Sequence, residues 1–344
     1  MRPATPEEIT GWDELVAANP DGGTVLQLKA FGEVKSRHGW QASHYLLDKV
    51  AVLVLRRQIP GFGELWYVPN GPGVTDRGGL NRFAQAAAKL QPAPFMIKID
   101  PEIRRGEISA KQLQQMGFVL APRNLQYNVS TVIVGLRPDE EAILGSFRQK
   151  TRYNVRLAAK KGVSVAAVPT DASTINTMYS LYATTTRRAG VYLRSKRYFE
   201  DYWRLHAESG HGQMFLASYE GKPLAGAFIT FTGTKALYKD GGSLREHTAV
   251  QAPYALQWEI MRWLKARGIL DYDMHGVPPA DRIDDPTHPM AGLARFKTGF
   301  QPQVTEFIGT YDLPLDPAKY RRWCRYAERL VVAYEYRVRK RLFY

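Results

Sequence analysis

Two stretches of this 344-residue chain repeat one order of elements, and that repetition narrows the fold more than any single motif does. In the first stretch, helices are expected over 6–18, where Thr5 can cap and Pro6 suits the first turn, and over 28–38. Strands follow over 43–47, 50–58 and 64–67, with turns at Asp48-Lys49 and over 60–63. A helix over 79–89, a strand over 95–99, a helix over 109–116 and strands around Val119 and over 129–134 complete it. The second stretch opens with a helix over 138–145 that runs into a cationic segment, followed by helices over 172–188 and 195–208. Strands are expected over 213–219, 223–232 and 235–239, joined by turns at Glu220-Gly221-Lys222 and Gly233-Thr234. A helix over 253–267 is apolar on several faces, through Leu256, Trp258, Ile260, Met261, Trp263 and Leu264, and should be buried. A strand over 270–274 closes the unit. Each half reads helix, antiparallel strands, helix, strand, so a duplicated α+β architecture follows, with Pro138 at the first boundary.

Charge narrows the partners. The chain carries 47 Lys and Arg against 33 Asp and Glu, a formal net charge of +14, which favours an anionic partner: nucleic acid, a nucleotide or an anionic membrane surface. Residues 147–163, FRQKTRYNVRLAAKKGV, hold six Lys or Arg and no acid. Arg148, Arg152, Arg156 and Lys160 fall four apart, so a helix stacks them in one cationic row, while Leu144, Phe147, Val155 and Ala158 fall near its opposite side. Gly162 then stops the helix, and Val163-Ser164-Val165 begins a strand. Residues 317–344 hold nine Lys or Arg against two Glu, with Tyr320, Trp323, Ala327, Val331, Tyr334 and Val338 recurring every three or four positions. That is an amphipathic helix, and two compatible readings stay open for it: docking on the core with a frayed basic end, or a closing RVRKRLFY that meets anionic headgroups. The single cysteine, Cys324, cannot form an internal disulfide, which fits a reducing cytoplasm. No signal peptide is expected, and the longest apolar runs, such as 50–55, are far too short to span a bilayer.

The order of elements is that of an acetyltransferase-like fold, so acetyl-CoA is the first ligand to test. One Q-x-x-G-x-G match exists, Gln58 to Gly63, but it sits between two strands with no helix after it. Without a helix N-terminus it lacks the free N–H groups that bind a pyrophosphate, and it reads as a hairpin turn. The seven histidines are scattered and the cysteine stands alone, so no metal site is expected; a Gly-x-Ser-x-Gly elbow is also absent. His275, at a strand end beside Asp273, reads as a hydrogen-bonded structural histidine. What remains are cationic and aromatic clusters at expected loop junctions: Lys35 before Arg37-His38-Gly39-Trp40, Lys98-Ile99-Asp100-Pro101, Arg187 to Tyr192, Tyr238 before Asp240-Gly241-Gly242-Ser243, and Arg295 to Phe300. They describe a site rich in fixed positive charge and phenols but poor in nucleophiles. Such a site suits a reaction whose nucleophile and activated electrophile both arrive as substrates, with the protein positioning them and stabilising an oxyanion.

Several of these segments, in their order along the chain, resemble the FemABX family of non-ribosomal peptidyltransferases, which extend peptidoglycan side chains from aminoacyl-tRNA. Lys150-Thr-Arg152-Tyr-Asn154-Val-Arg156-Leu-Ala158-Ala-Lys160-Lys-Gly162-Val163 is similar to the segment opening that family's second domain. Gln27 to Trp40, Gly71-Pro72, Lys98 to Pro101, Asn124-Leu-Gln126 before Thr131, Thr185 to Gly190, Pro253-Tyr254, Tyr272-Asp273, Gly276, and Gly292 to Phe300 follow in the family's order and span nearly the whole chain.

The resemblance implies two tandem acetyltransferase-like domains, residues 1–136 with 316–344 binding the acceptor and 137–315 on the tRNA and donor side. It implies that Lys35 and Arg188 grip the acceptor's diphosphate, that Tyr192 and Asp100 also bind acceptor, and that Phe296 and Lys297 meet the tRNA 3′ end, Lys297 stabilising the tetrahedral oxyanion. Tyr238 joins this catalytic set, and Arg148, Arg152, Arg156 and Lys160 are expected to bind tRNA. The expected partners are aminoacyl-tRNA and a peptidoglycan precursor, UDP-MurNAc-pentapeptide or lipid II, with the stem peptide's side-chain amine as acceptor. No cofactor is expected; the chain should act as a cytoplasmic monomer that touches the inner membrane face peripherally. Two departures stand out. Relatives often show Tyr-x-Tyr-Gly where this chain has Tyr238-Lys-Asp240-Gly241, and no long charged heptad segment supplies the helical arm of larger members. The missing arm resembles compact members acting on the soluble nucleotide precursor, whereas the cationic C-terminal helix points toward a lipid-linked acceptor. An acyl-CoA-dependent N-acetyltransferase and a non-catalytic RNA-binding protein remain as alternatives.

Overall fold

A computed structural model describes residues 1–126, 129–190, 193–339 and 341–344. The chain divides into two compact units, Met1–Val129 with Phe307–Tyr344, and Ser130–Glu306.

The first unit is built on a seven-stranded sheet. In chain order its elements are β1 (Arg2–Pro3), α1 (Pro6–Thr10), α2 (Trp12–Ala17), α3 (Lys29–Arg37), β2 (Gln41–Leu47), β3 (Val50–Ile59), β4 (Gly63–Val68), α4 (Arg77–Ala87), β5 (Met96–Ile99), α5 (Ala110–Gln115) and β6 (Val119–Leu120). The second unit follows with β7 (Ser130–Thr131), β8 (Ile133–Gly135), α6 (Glu140–Ser146), α7 (Gln149–Lys160), β9 (Ser164–Val168), α8 (Ala172–Ala189), α9 (Lys196–Glu208), β10 (Gly212–Tyr219), β11 (Lys222–Thr232), β12 (Lys235–Ser243), α10 (Ala252–Lys265), β13 (Asp271–Asp273), α11 (Ala291–Lys297) and β14 (Thr305–Glu306). The chain then returns to the first unit as β15 (Tyr311–Pro314), α12 (Pro317–Arg322), a π-helical turn (Trp323–Ala327) and α13 (Glu328–Arg337).

Both sheets follow one rule. In the first, ordered β1-β2-β3-β4-β5-β15-β6, every pair is antiparallel except β4 and β5. In the second, ordered β8-β13-β12-β11-β10-β9, the exception is β12 and β13. A parallel pair cannot be joined by a hairpin, and a helix makes each crossover, α4 in one unit and α10 in the other. The crossover helices lie on the cores. Leu80 and Phe83 pack with Val52, Val54, Trp66 and Ile97, while Leu256, Ile260 and Leu264 pack with Phe215, Ala227 and Tyr272. The fold is α+β, two tandem units of one sheet topology, and no long helical arm is inserted among the described residues, whose longest helix is the 18-residue α8.

Several expectations need correction. The units divide at Val129 and Phe307 rather than at 136 and 315, because β8 completes the second sheet through β13 while β15, unread in the sequence, pairs with β5 in the first. The helix expected over 6–18 breaks at Gly11, whose N–H bonds back to Glu7 before α2 begins. Asp240 to Ser243 is not a loop but the end of β12. The amphipathic helix over 317–344 is interrupted by the π-helical turn, and its end is not frayed. Phe343 is buried, its carbonyl accepts from the Trp40 indole at 3.0 Å and from Arg57 at 3.2 Å, and the Tyr344 hydroxyl donates to Glu328 at 2.7 Å. The closing aromatics are therefore spent inside the first unit and not left for headgroups.

Candidate active site

In the second unit the chemistry collects just beyond the end of β13. Asp273 fixes the chain there: its Oδ1 accepts the Thr131 hydroxyl and, at 2.6 Å, the backbone N–H of His275, whose φ of 63° is left-handed. That turn presents two successive carbonyls to one ammonium. Lys297, the last residue of α11 and only 4% exposed, donates from Nζ to His275 O at 2.7 Å and to Gly276 O at 3.0 Å. An ammonium has three hydrogens, so these two bonds leave one for a substrate oxygen. Burial pulls the Lys297 pKa down to about 7, with the Asp273 charge opposing. His275 is held neutral by burial and by the Lys297 and Lys239 charges, a structural role for its backbone rather than an acid–base one.

Tyr238 reaches the same place from β12, its ring centroid 5.9 Å from Lys297 Nζ. Burial and the Asp240 charge raise its phenol to about 12, so it stays protonated and can donate. The register explains its position. Phe228 faces Asp240 and Ile229 faces Tyr238, so Lys239 is an extra residue, a bulge that breaks the alternation of sides. The Tyr238 hydroxyl consequently lies over Gly241, where an added Cβ would come within 1.9 Å of it. Gly242 has a different reason: a Cβ there would meet the backbone of Leu181 in α8 at 2.5 Å. Thr185 of α8 then exchanges hydrogen bonds with Ser243, at 2.9 and 3.1 Å, and Arg188 donates to the Ser243 carbonyl at 3.3 Å from an otherwise exposed position. Asp240 is 2% exposed and accepts the Trp203 indole N–H at 2.9 Å. It packs against α9. Tyr192 lies outside the described residues.

The segments 150–163 and 292–300, far apart in sequence, meet here. The Arg148 N–H donates to Gly299 O at 2.8 Å, and Thr151 Oγ1 occupies the space that a Cβ on Gly299 would need, at 2.3 Å. Phe296 stands edge-on to Tyr254 and Phe300, at 5.1 and 5.3 Å, and Phe147 does the same to Phe300 at 5.1 Å. Helix α7 thus supports α11 structurally, as its buried Thr151, Asn154, Val155 and Ala158 require. Its cationic row is shorter than expected. Arg148, Arg156 and Lys160 are exposed, but Arg152 donates to the carbonyls of Phe147 and, at 3.1 Å, Gly145, closing the end of α6.

The first unit holds its own site at the equivalent place, the end of β5. Asp100 is buried and accepts the Tyr67 hydroxyl at 2.7 Å and the Asn70 N–H at 2.5 Å. Burial raises its pKa to about 7 against both hydrogen bonds and the Lys98 charge. Tyr67 in turn accepts from Gln126 Nε2 at 2.7 Å, and Asn70 takes a φ of 45°, a left-handed conformation that asparagine tolerates. Lys98 lies near the end of β5, as the strand expected over 95–99 has it, and forms a buried pair with Asp312 of β15 at 2.5 Å. Lys35 is 5% exposed on α3, with Nζ 5.4 Å from the Phe31 ring centroid. Lys35 and Arg188, expected to act as a pair, belong to different units. Sequence reasoning missed Tyr67, Asn70 and the positioning role of Asp273. Each works through a backbone turn or a partner dozens of residues away, which no spacing reveals. Among the described residues no cluster of His, Cys, Asp and Glu could hold a metal ion, and no helix is long and apolar enough to cross a membrane.

Comparison with known proteins gives this geometry a family. The chain is 27% identical over 337 residues to a UDP-N-acetylmuramoylpentapeptide-lysine N(6)-alanyltransferase of Weissella viridescens, covering 92% of this chain and 96% of that one. A lipid II:glycine glycyltransferase of Staphylococcus aureus (strain MRSA252) is 24% identical, covering 90% and 92%. The crystal structure of FemX superposes with a TM-score of 0.79 at 22% identity, covering 92% of this chain and 98% of that one, which speaks to the fold. The FemAB family model matches residues 10–219 and 202–328, and this chain belongs to the FemAB family.

Proposed function

We propose that this protein is an aminoacyltransferase of peptidoglycan side-chain or bridge synthesis. In this reading it moves an amino acid from aminoacyl-tRNA to the side-chain amine of the stem peptide on UDP-MurNAc-pentapeptide or lipid II. The observation that carries it is Lys297, a buried ammonium with one hydrogen left to give, in a chain of this family. The named activities of the Weissella and Staphylococcus relatives supply the substrate class.

The reaction needs little from the protein because the ester is already activated. The acceptor amine attacks the ester carbonyl, a C–N bond forms and the carbonyl electrons move onto oxygen. Lys297 stabilises that oxyanion. Its pKa of about 7 keeps a working fraction charged at neutral pH, and the developing negative charge raises that fraction. Collapse breaks the C–O bond, and the 3′-oxygen of the tRNA leaves with the proton that the amine sheds. Tyr238 adds a neutral phenolic donor beside Lys297, and Phe296 offers a ring to the terminal adenine. Arg148, Arg156 and Lys160 take tRNA phosphates. On the acceptor side, the resemblance to the family proposes Asp100, Lys35, Arg188 and Tyr192 as the residues that meet the peptide and diphosphate.

The test is transfer of a labelled amino acid from charged tRNA to UDP-MurNAc-pentapeptide and, separately, to lipid II. RNase treatment should abolish it. Turnover that survives RNase, or that proceeds from acetyl-CoA, would overturn the reading in favour of a CoA-dependent enzyme. Mass spectrometry of cell-wall peptides with and without the gene would identify donor and acceptor.

A further inference from the structure

The C-terminal segment sorts its charges by side. Its two carboxylates, Glu328 and Glu335, are 7% and 4% exposed and turn inward. Glu335 accepts Arg57 at 2.6 Å, Arg339 at 3.5 Å and Arg341, while Glu328 accepts the Tyr344 hydroxyl at 2.7 Å. The outward side holds cations only. Arg321, Arg325, Arg329 and Arg337 are exposed and have no carboxylate partner among the described residues. Between them runs an apolar row four residues apart: Tyr326 at 49% exposure, Leu330 at 68%, Tyr334 at 49% and Val338 at 63%, with Tyr336 at 46% beside it. Single exposed apolar residues are ordinary, but a contiguous row among like charges marks a docking surface.

We propose that this outward face of 321–338 docks on an anionic phospholipid bilayer, the arginines meeting headgroup phosphates and the row from Tyr326 to Val338 entering the boundary between headgroups and acyl chains. Three features select that occupant. The unopposed arginines require a polyanion. A second copy of this chain is disfavoured, since two such faces would bring like charges together. RNA would satisfy the arginines and stack on the tyrosines, but it offers nothing to Leu330 and Val338, the two most exposed members of the row. A bilayer satisfies all of them. Phe343 is buried and Tyr344 half-buried, so of the two readings open for the closing aromatics the docked one holds, and the outward surface lies earlier, over 321–338.

The experiment is flotation of the full-length protein with unilamellar vesicles of phosphatidylglycerol and phosphatidylcholine, or of phosphatidylcholine alone. Binding is expected to the anionic vesicles, to fall in high salt and to be weak with the neutral ones. Each arginine near the surface contributes about fivefold, so R325Q/R329Q should bind about 25-fold more weakly. Leu330→Ser should lose about tenfold with the salt dependence unchanged. All three positions are exposed, and unaltered circular dichroism and melting temperature would certify the fold of each variant. Failure to bind anionic vesicles, or equal binding by the variants, overturns the proposal. So does a result in which these variants lose tRNA affinity but keep vesicle affinity, which would make the face an RNA surface. The proposal is independent of the transfer reaction: Lys297→Met should float like the parent, so loss of turnover and loss of vesicle binding are separable failures.

Discussion

The two units share a topology and place opposite charges at the same point of it. Where β5 ends, beside the parallel strand β4, the first unit buries the carboxyl of Asp100. Where β13 ends, beside the parallel strand β12, the second gathers carbonyls around the buried ammonium of Lys297. Burial drives the acid up and the base down, and both arrive at about 7. Their partners differ in kind. Asp100 accepts from a phenol and a backbone N–H, donors that favour its ionised form, so it is equipped to accept from or pair with a cationic substrate group. Lys297 donates to two neutral carbonyls and has no carboxylate within bonding distance among the described residues, so its charge is available to an oxygen that becomes negative. One topology occurs twice, and the group buried beyond its parallel strand, Asp100 directly after β5 and Lys297 brought in by α11, decides what each copy can do.

The largest effect should come from the second unit. Lys297→Met is expected to lower kcat about 10²–10³-fold, the loss typical of one oxyanion donor, with acceptor affinity by calorimetry unchanged. The other half of the comparison breaks the other way: Asp100→Asn should raise KM for the acceptor about tenfold with kcat largely kept, as for loss of a hydrogen-bonded charge. The same variant has a stability signature. A carboxyl whose folded pKa is raised favours the fold when protonated, so the parent loses stability as pH rises between about 4 and about 7. Asp100→Asn should flatten that slope in denaturant melts. For Lys297 the catalytic form is charged while the acceptor amine must be neutral, so kcat/KM should rise with pH and level off above about 7 as the ammonium is lost, and a rise that continues unbroken through about 7 would instead make the residue a base. Gly241→Ala should displace the Tyr238 phenol and destabilise the second unit by about 1–3 kcal/mol, as overpacking does. Smallest of all, Arg156→Gln with Lys160→Gln should weaken tRNA binding uniformly and reduce its salt slope by about 0.7–0.9 per cation removed.

The repeated grammar was readable because hydrophobic periodicity and turn residues report local structure, and the cores of α4 and α10 are written in that periodicity. Lys297, Tyr238 and Asp100 were readable as members of ordered motifs. Their partners were not, for three reasons. β15 is a four-residue strand that exists because β5 offers it an edge, so its own sequence carries little signal. The run Asp240 to Ser243 looks like a loop since glycines punctuate most chains, yet Gly241 and Gly242 are there because a phenol and a helix backbone come too close for a Cβ. Arg152 looked like one member of a cationic row, and only the proximity of the α6 terminus diverts it to carbonyls. In each case the deciding neighbour is distant in sequence, so the pattern was legible and the partnership was not.

The central claim is that transfer runs through the Lys297 ammonium, which acts on the chemical step and not on acceptor binding. Single-turnover transfer by Lys297→Met, started with charged tRNA against UDP-MurNAc-pentapeptide and against lipid II, tests it most directly when paired with acceptor binding to the same variant. The account predicts that the chemical step is lost with both acceptors while binding of the parent's acceptor persists at parental affinity. A normal rate of transfer, or a variant that has lost the acceptor as well, would contradict it.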